Sequence, residues 1–326
     1  MQKIDWQNTS VLITGGTGSF GKKFVQVMLE TYRPRRLAVL SRDEIKQSEM
    51  KKEYSESQVR YFLGDVRDSE RLHRAFRGVD IVVHAAALKQ VPAAEADPFE
   101  AVQTNILGGK NVIDAAIDCG VKRVLALSTD KAVGPVNLYG ATKLVAEKLF
   151  VQGNAYAGGQ QTRLAVARYG NVIGSRGSVV PLFMEQRKTG VVTVTDPRMT
   201  RFWITLDQGV KFVIRSLERM KGGEVFVPKL PSMKILDLVE AVAPGCKVDC
   251  TGIRPGEKIH ESLISEDESN NVREHDEYYV VVPAYHSWTD AHWTDGRPAP
   301  DRFSYRSDSN PHQLSIQELR QIAESL

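Results

Sequence analysis

The sequence predicts an α/β fold of the Rossmann type, a doubly wound parallel sheet with a smaller, discontinuous C-terminal substrate domain. Short apolar runs alternate with helical patterns in the first half, a glycine-rich turn follows the first run, and the alternation breaks up after Asn171. Strands that alternate with helices require right-handed crossovers, which make the sheet parallel. We therefore expect a cofactor-binding domain over residues 1–170, joined by 207–220, and a substrate-binding domain over 171–326.

The predicted strands are short apolar runs rich in β-branched residues, each bounded by glycines or polar turns. In the first half they cover Ser10–Thr14, Arg36–Leu40, Val59–Leu63, Asp80–His84, Val121–Ser128 and Thr162–Arg168. Apolar residues spaced by three or four positions predict helices instead. These helices cover Lys22–Thr31, Tyr139–Phe150, Asp207–Met220 and Ser315–Leu326.

Two further segments have distinctive patterns. A long helix is predicted to start at Asp97 and Pro98, with the aspartate as N-cap and the proline at the first helical position. Glu100, three residues after the cap, strengthens this start signal. The stretch Ser265–Glu277 is polar, so we expect an exposed loop there.

The composition is that of an ordinary globular protein. The 326 residues include 43 Lys and Arg against 40 Asp and Glu, a formal net charge of +3. A balance so near neutrality does not indicate nucleic acid or an anionic membrane as a partner. No apolar run approaches the ~20 residues of a membrane span, nothing resembles a signal peptide, and three cysteines fit no disulfide framework or zinc site. We expect a cytoplasmic protein without a metal.

A glycine-rich turn follows the first strand and opens a helix. Residues 14–21 read TGGTGSFG, which fits G-x-G-x-x-G from Gly16 and G-x-x-G-x-x-G from Gly15. Glycine permits a tight turn and close backbone approach, and the helix N-terminus then faces a pyrophosphate. We expect the turn to bind a dinucleotide through Gly15, Thr17, Gly18, Ser19, Phe20 and Gly21.

The end of the second strand selects the cofactor. An acidic residue there would hold the ribose 2′-hydroxyl of NAD. This sequence has Ser41 and Arg42, with Lys46 one turn later. A small hydroxyl leaves room and the two cations can pair with a 2′-phosphate, so the pattern favours NADP. Asp43 keeps NAD open as the alternative, because its carboxylate could fold back to the ribose.

The next two strand ends also carry candidate cofactor contacts. Asp65 and Val66 follow the third strand, where a carboxylate and an apolar side chain could hold adenine. Ala85 and Ala86 follow the fourth, and their small side chains let the backbone approach the cofactor. We expect Lys89 to reach the junction between cofactor and substrate.

Tyr139 and Lys143 are four residues apart at the start of a predicted helix, so they share one face. An ammonium near a phenol favours the phenolate and lowers its pKa. Such a tyrosine can take a proton from a sugar hydroxyl while hydride leaves the same carbon. Thr129, at the end of the fifth strand, completes a Thr–Tyr–Lys set.

These motifs resemble an extended short-chain dehydrogenase/reductase, which implies a nucleotide sugar and a cofactor bound in one long cleft. Glucose-type 4,6-dehydratases of that family carry Asp–Glu after the threonine, whereas this sequence has Asp130 and Lys131. That pair resembles the inverting UDP-N-acetylglucosamine 4,6-dehydratases, which make the first intermediate of pseudaminic acid. The similarity runs nearly end to end and includes residues 41–46, 88–92, 137–143, 168–172 and 252–258.

The resemblance implies a lyase that recycles tightly bound NADP. Tyr139 would remove the C4 hydroxyl proton, Lys131 would remove the C5 proton as base, and Asp130 would protonate the departing C6 oxygen. Hydride return to C6 leaves a methyl group, and reprotonation of C5 from the opposite face inverts that centre. Because Lys131 must be neutral, we expect burial and Lys143 to lower its pKa, although an ionised Asp130 would oppose that shift.

A rigid basic turn in the second half, Arg254–Lys258, is the candidate site for UDP. A guanidinium clamps a diphosphate with two parallel bonds, so we assign Arg254 to the diphosphate and Glu257 to the uridine ribose. By resemblance, Asn171 holds a phosphate or a sugar hydroxyl. The remaining substrate-side candidates are Lys89, Tyr139, Val172, Val179 and Thr195, with Arg176 and Arg201 lacking an assigned role.

Three alternatives stay open. A UDP-sugar 4- or 5-epimerase of the same fold would not need the acid–base pair at Asp130 and Lys131. A non-catalytic NADP-sensing protein would not need Tyr139 and Lys143. A simple dehydrogenase would consume cofactor stoichiometrically. For the dehydratase, the resemblance implies UDP-N-acetylglucosamine as substrate and a homo-oligomer, such as a hexamer.

Overall fold

The computed structural model of the chain describes residues 4–158, 161–173, 179–285 and 293–324. Its strands are β1 (Ser10–Thr14), β2 (Arg36–Ser41), β3 (Arg60–Leu63), β4 (Ile81–His84), β5 (Arg123–Thr129), β6 (Arg163–Tyr169), β7 (Asn171–Val172), β8 (Val191–Val194), β9 (Thr200–Ile204), β10 (Val225–Pro228), β11 (Ser232–Lys234), β12 (Lys247–Cys250), β13 (Ser262–Ile264), β14 (Val272–Glu274), β15 (Tyr278–Val281), β16 (Arg297–Pro298) and β17 (Tyr305–Arg306). Its α-helices are α1 (Ser19–Val27), α2 (Glu44–Glu53), α3 (Ser69–Phe76), α4 (Val91–Ala96), α5 (Pro98–Val102), α6 (Gly108–Asp118), α7 (Leu138–Gln152), α8 (Val179–Gln186), α9 (Leu206–Arg219), α10 (Ile235–Val242) and α11 (Ile316–Glu324).

Ten strands of the described residues form the main sheet, in the order β16-β14-β15-β10-β6-β5-β4-β1-β2-β3. The strands from β3 to β10 in that order run parallel, and β15, β14 and β16 add an antiparallel edge. The order β3-β2-β1-β4-β5-β6 is that of a doubly wound dinucleotide-binding sheet, so the predicted fold class is confirmed. The chain reverses its direction of travel between β1 and β4, which places a ligand crevice at their carboxyl ends.

Helices cover the central strands, which explains why β1 and β4 are buried along their whole length. One layer contains α1 and α9, which pack against each other, and α9 also contacts β5 and β6. A second layer contains α3, α6 and α7. Although α9 comes from the second half of the chain, its residues 206–219 pack on the sheet and on α1.

The second half has its own apolar cluster, which includes Val180, Trp203, Leu238 and Leu319. It also supplies β10, β14, β15 and β16 to the main sheet, whose core forms a separate and larger cluster. The chain therefore crosses between the two clusters several times after residue 170. The division of the chain into two domains stays a prediction.

The predicted exposed loop at Ser265–Glu277 is wrong. Ser265 caps a 3₁₀ helix over Glu266–Asn271, and the chain then enters β14, where Val272 is buried. The polar composition misled the prediction because Glu268 is turned inward, onto the buried guanidinium of Arg168. A strand of three residues also shows too little alternation to be recognised.

The predicted helices differ from the observed ones mainly at their ends. The first predicted helix continues beyond α1 as a π-helical turn over Met28–Tyr32, and α5 and α6 are joined by another over Gln103–Leu107. Asp97 occupies the N-cap position of α5, but its side chain makes no capping hydrogen bond, because α4 ends directly before it. The prediction missed α2 and α3, which Asp43 and Asp68 cap.

Two features of the described residues bear on membranes and metals. None of the described helices has both the length and the hydropathy that a membrane span requires. Nor do the described residues bring together three or more His, Cys, Asp or Glu side chains in a cluster that could hold a metal ion.

Candidate active site

A cleft of about 1050 Å³ opens at the carboxyl ends of the central strands, with walls from both halves of the chain. Of the predicted site residues that the structure describes, Asp130 alone does not line it. The predicted residues on its cofactor side are Gly15, Thr17, Gly18, Ser19, Phe20, Gly21, Ser41, Arg42, Asp43, Lys46, Asp65, Val66, Ala85, Ala86 and Lys89. Those further along it are Thr129, Lys131, Tyr139, Lys143, Asn171, Val172, Val179, Thr195, Arg254 and Glu257. Arg176 lies outside the described residues.

The glycine turn leaves no room for side chains. Gly15 has φ +67°, and a Cβ there would lie 2.8 Å from the backbone nitrogen of Ala86. A Cβ on Gly21 would collide with the backbone of Gly16, where α1 packs on the turn. Gly18 is the N-cap of α1, so the free N–H groups of the first helical turn lie at the cleft. This arrangement fits a dinucleotide pyrophosphate.

At the end of β2, the polar side chains are tied into local contacts. Ser41 Oγ shares a hydrogen bond of 2.7 Å with Thr17 Oγ1. Asp43 accepts from the backbone nitrogen of Lys46 over 2.9 Å and also pairs with the Lys46 ammonium, which lowers the pKa of Asp43. The carboxylate thus acts as the cap of α2, while the half-exposed Arg42 guanidinium lies at the cleft, 3.6 Å from Asp65.

The Tyr139–Lys143 pair lies at the start of α7, and both side chains are buried. Lys143 Nζ donates to the Leu127 carbonyl over 2.7 Å, and burial lowers the pKa of Lys143 to about 8. Burial raises the pKa of Tyr139 to about 12, and the cation that opposes this is Lys131. The prediction of a lowered Tyr139 pKa is therefore wrong for the protein without ligands, because desolvation of the phenolate outweighs the nearby charge.

The turn after β5 is a 3₁₀ helix over Asp130–Ala132 that Thr129 caps. Asp130 is fully buried, and its Oδ1 accepts from Thr129 Oγ1 over 2.8 Å and from Lys131 Nζ over 3.1 Å. Lys131 reaches the cleft, with 26% of its side chain exposed. The acid and base candidates are therefore hydrogen-bonded to each other, and the threonine hydroxyl lies between the buried carboxylate and the cleft.

A second carboxylate, missed by the sequence analysis, meets Lys131 from the other side. Glu261 Oε1 lies 3.3 Å from Lys131 Nζ, and the glutamate side chain is 3% exposed. Burial disfavours the ammonium of Lys131, but Asp130 and Glu261 together outweigh it and raise its pKa. The predicted lowering of the Lys131 pKa is therefore wrong. Nothing in the sequence marks Glu261, because it comes 130 positions after Lys131.

Arg201, which the sequence left without a role, holds the segment that carries Glu261. Its Nη1 donates to the Ile259 carbonyl over 2.8 Å and its Nη2 to the Lys258 carbonyl over 3.0 Å. Lys258 in turn donates to the Val133 carbonyl over 2.5 Å. The segment after Arg254 is thereby bonded to the residue that follows the catalytic turn, which is the 3₁₀ helix over Asp130–Ala132.

The substrate-side candidates line the same cleft from several elements. Asn171 pairs with Trp203 across β7 and β9, and Thr195 Oγ1 donates to Met199 Sδ over 3.1 Å. The exposed Arg254 and the Glu257 side chain belong to one turn, in which Arg254 N donates to Glu257 Oε2 over 3.2 Å. Asn137 Nδ2 donates to the Gly256 carbonyl in that same turn over 2.8 Å, which links it to the start of α7.

Comparison with known proteins places this geometry in a family. Residues 11–283 match the model of a family described as polysaccharide biosynthesis protein. The chain belongs to that family. It is 53% identical over 323 residues to the inverting UDP-N-acetylglucosamine 4,6-dehydratase of Campylobacter jejuni, and 96% of each chain is covered. The resemblance predicted from the sequence is thus confirmed.

Two further relatives define the range of the family. A UDP-glucose 4-epimerase of Rickettsia canadensis is 38% identical over 322 residues, covering 96% of this chain and 94% of its own. The X-ray structure of Pen from Bacillus thuringiensis superposes with a TM-score of 0.90 at 38% identity, over 99% of both chains. The fold is thus shared along the whole chain with a solved relative, and the similar sequences include one named as a dehydratase and one named as an epimerase.

Proposed function

We propose that this protein is a UDP-N-acetylglucosamine 4,6-dehydratase that inverts C5 and recycles NADP. The observation that carries the proposal is the hydrogen bond between the buried Asp130 and Lys131, because Lys131 lines the same cleft as Tyr139 and Lys143. A UDP-sugar 4-epimerase needs the tyrosine, but its reaction leaves the C6 oxygen of the sugar in place and so needs no acid–base pair to expel it. The 53% identity to an inverting dehydratase supports the same assignment.

The cofactor side of the cleft fits a nicotinamide dinucleotide. The glycine turn and the start of α1 would hold the pyrophosphate, and the backbone near Ala86 approaches closely enough that a Cβ on Gly15 would collide with it. Bound there, the dinucleotide would supply the hydride-transfer chemistry needed at C4 and C6 of the sugar. Lys143, buried on α7 one turn after Tyr139, would hold the nicotinamide ribose.

NADP is the proposed form because Asp43, the acidic residue after β2, is already bonded to Lys46 and is not free to bind the ribose. Asp43 caps α2 and pairs with Lys46, which leaves Ser41 and Arg42 at the place of the adenosine 2′-position. Arg42→Ala should weaken NADP binding by about tenfold to a hundredfold, the worth of one charge-assisted hydrogen bond, and leave NAD binding unchanged. Equal losses for both cofactors, measured by fluorescence titration, would contradict the NADP assignment.

Oxidation at C4 requires Tyr139 to take the hydroxyl proton. With its pKa raised to about 12, the free tyrosine is neutral. Lys143 has its pKa lowered to about 8, so it can lose a proton near neutrality and act as part of the route by which the tyrosine proton leaves. The two groups therefore form one proton-transfer unit at the start of α7.

Elimination requires an amine at Lys131 and an acid at Asp130 at the same moment. Movement of one proton along the 3.1 Å bond from Lys131 Nζ to Asp130 Oδ1 creates both together. The amine then removes the C5 proton. Asp130 is buried, so its proton reaches the departing C6 oxygen through the Thr129 hydroxyl, 2.8 Å away. Return of a proton to the opposite face of C5 gives inversion.

The nucleotide would lie along the wall formed by β7, β9 and the Arg254 turn. Arg254 is proposed for the diphosphate, Glu257 for the uridine ribose and Asn171 for a phosphate or sugar hydroxyl. Lys89 is proposed for the junction with the cofactor. Val172, Val179 and Thr195 complete the proposed contacts of the uridine end. With this assignment we propose that the protein forms a homo-oligomer. We also propose that it acts early in pseudaminic acid synthesis.

Mass spectrometry of the product tests the proposal. Incubation of UDP-N-acetylglucosamine with the protein and substoichiometric NADP should yield a product lighter by one water, with many turnovers per cofactor. An epimerase, the second candidate because of the 38% identical relative, would leave the mass unchanged. Turnover limited to one per cofactor would make the protein a simple dehydrogenase instead.

A further inference from the structure

The buried carboxylate of Glu261 is not explained by substrate or cofactor binding, because its side chain does not line the cleft. Its Oε1 lies 3.3 Å from Lys131 Nζ and 4.0 Å from Arg201 Nε, and its Oε2 lies 3.9 Å from Lys258 Nζ. Glu261 Oε2 and Asp130 Oδ2 are both buried and accept no hydrogen bond from the described residues. Two carboxylates thus share one ammonium and leave an oxygen each unsatisfied.

The backbone fixes Glu261 in this place. Its N–H donates to Ser307 Oγ over 3.0 Å, and the Ser307 N–H donates to the Glu261 carbonyl over 2.9 Å. Two bonds from Ser307, the residue after β17, hold Glu261, and Arg201 holds the segment before it. The carboxylate therefore has little freedom to leave the ammonium of Lys131.

The charges around Glu261 come from every element packed against it. Asp130 and Lys131 face it from the catalytic turn, Arg201 from β9 and Lys258 from its own segment. Three cations therefore face two carboxylates in a buried space. Burial and the neighbouring Asp130 raise the pKa of Glu261, although the three cations oppose this rise.

We propose that Glu261 is a positioning residue that sets where the proton shared by Lys131 and Asp130 resides. While Glu261 is anionic, it holds that proton on Lys131 and keeps the base idle. When Glu261 is protonated, Lys131 loses one of its two carboxylate partners while burial and Arg201 still disfavour its ammonium, so transfer of the proton from Lys131 Nζ to Asp130 Oδ1 becomes easier. No further reactant is needed, because a single proton moves along an existing hydrogen bond.

The inference rests on the proposed dehydratase, so its test must not depend on that activity. Lys131 reaches the cleft, which makes it accessible to a small amine reagent. Competitive labelling of the holoenzyme with acetic anhydride, over a series of pH values, gives the midpoint at which Lys131 becomes reactive. Mass spectrometry of the Lys131 peptide reads the extent of labelling.

Glu261→Gln removes the anion but keeps the shape, so the Lys131 midpoint should fall by at least about one pH unit. Glu266→Gln is the matched control, because this carboxylate is 60% exposed and pairs with Arg302; its midpoint should stay at the wild-type value. Arg201→Gln should shift the midpoint in the opposite direction, which keeps the inference testable if E261Q does not fold.

A Lys131 midpoint that is the same in folded E261Q and in the wild type would overturn the inference. So would a folded R201Q whose midpoint moves in the same direction as that of E261Q. If the midpoint shifts as expected but the wild type releases no water from the sugar nucleotide, the dehydratase assignment fails and the role of Glu261 stands. If water is lost but the midpoint does not shift, only the role of Glu261 fails.

Discussion

The guanidinium of Arg168 is the centre of a buried ionic cluster that joins three parts of the chain. Its Nη2 lies 2.6 Å from Glu147 Oε2 and 2.9 Å from Glu268 Oε1, and its Nη1 donates to the Leu263 carbonyl over 2.9 Å. The Arg168 and Glu147 side chains are each 3% exposed. Glu147 lies on α7 one turn after Lys143, so the cluster ties the catalytic helix to the second half of the chain.

Arg168→Met removes the charge and keeps most of the volume, so its effect is mainly electrostatic. The buried Glu147 and the partly buried Glu268 lose their cation, and breaking a buried pair in this way costs about 3–5 kcal/mol. We predict that loss in the free energy of unfolding, measured by urea denaturation. The triple variant R168M/E147Q/E268Q, which removes all three charges, should recover most of it.

Two results would contradict this electrostatic account of the Arg168 cluster. A loss below about 1 kcal/mol in R168M, the value of an exposed ion pair, would show that the cluster is solvated and that the burial argument fails. A triple variant no more stable than R168M would show that packing, and not uncompensated charge, sets the cost. The slope of the transition should stay constant, since a change in slope would report an altered unfolded state.

Three other predictions follow from the site and its supports. Lys131→Met should retain C4 oxidation, seen as absorbance of reduced nicotinamide in a single turnover, but form no methyl group; full methyl formation would remove its role as base. Gly15→Ala should lower cofactor affinity, because its Cβ would lie 2.8 Å from Ala86 N. Gly120→Ala is the control, because Gly120 has a similar φ of +69° with open space around it, and this variant should bind cofactor normally. Equal losses of cofactor affinity in both variants would assign the effect to backbone strain alone. Burial raises the pKa of Glu268, but its guanidinium partner Arg168 lowers that pKa overall. Since the folded pKa lies below the unfolded one, the stabilisation from Glu268 is present at neutral pH and is lost as the pH falls through the folded pKa. The urea midpoint should therefore drop on acidification, and a smaller drop in E268Q would show that Glu268 contributes to it.

The parts of the site that were predictable from sequence are those whose chemistry is local. The glycine turn, the end of β2 and the Tyr139–Lys143 pair each need neighbours within a few residues, and each lies at the cleft. The Asp130–Lys131 pair is also local, which is why it could be proposed from the sequence, although the predicted direction of the Lys131 pKa shift was wrong. Charge state depends on what burial brings near, and Glu261 arrives from 130 residues away.

The fold shows the same division. The central parallel strands are short, nearly continuous apolar runs, so their place in a buried parallel sheet followed from the pattern. The antiparallel edge did not, because β14 and β16 are short and polar and pair through their backbones. Arg201 was unplaced for a related reason: most of its partners are backbone carbonyls, which leave no signature in a sequence.

Proton NMR of the reaction in D2O, with UDP-N-acetylglucosamine and catalytic NADP, tests the central claim most directly. A new C6 methyl signal, deuterium at C5 and ring couplings of the L-arabino product are predicted from Lys131 and Asp130 acting as base and acid. A methyl group with D-xylo couplings at early times would keep the elimination and remove the inversion. No methyl group, with conversion to the galacto isomer, would contradict the account and leave the Asp130–Lys131 pair without a function.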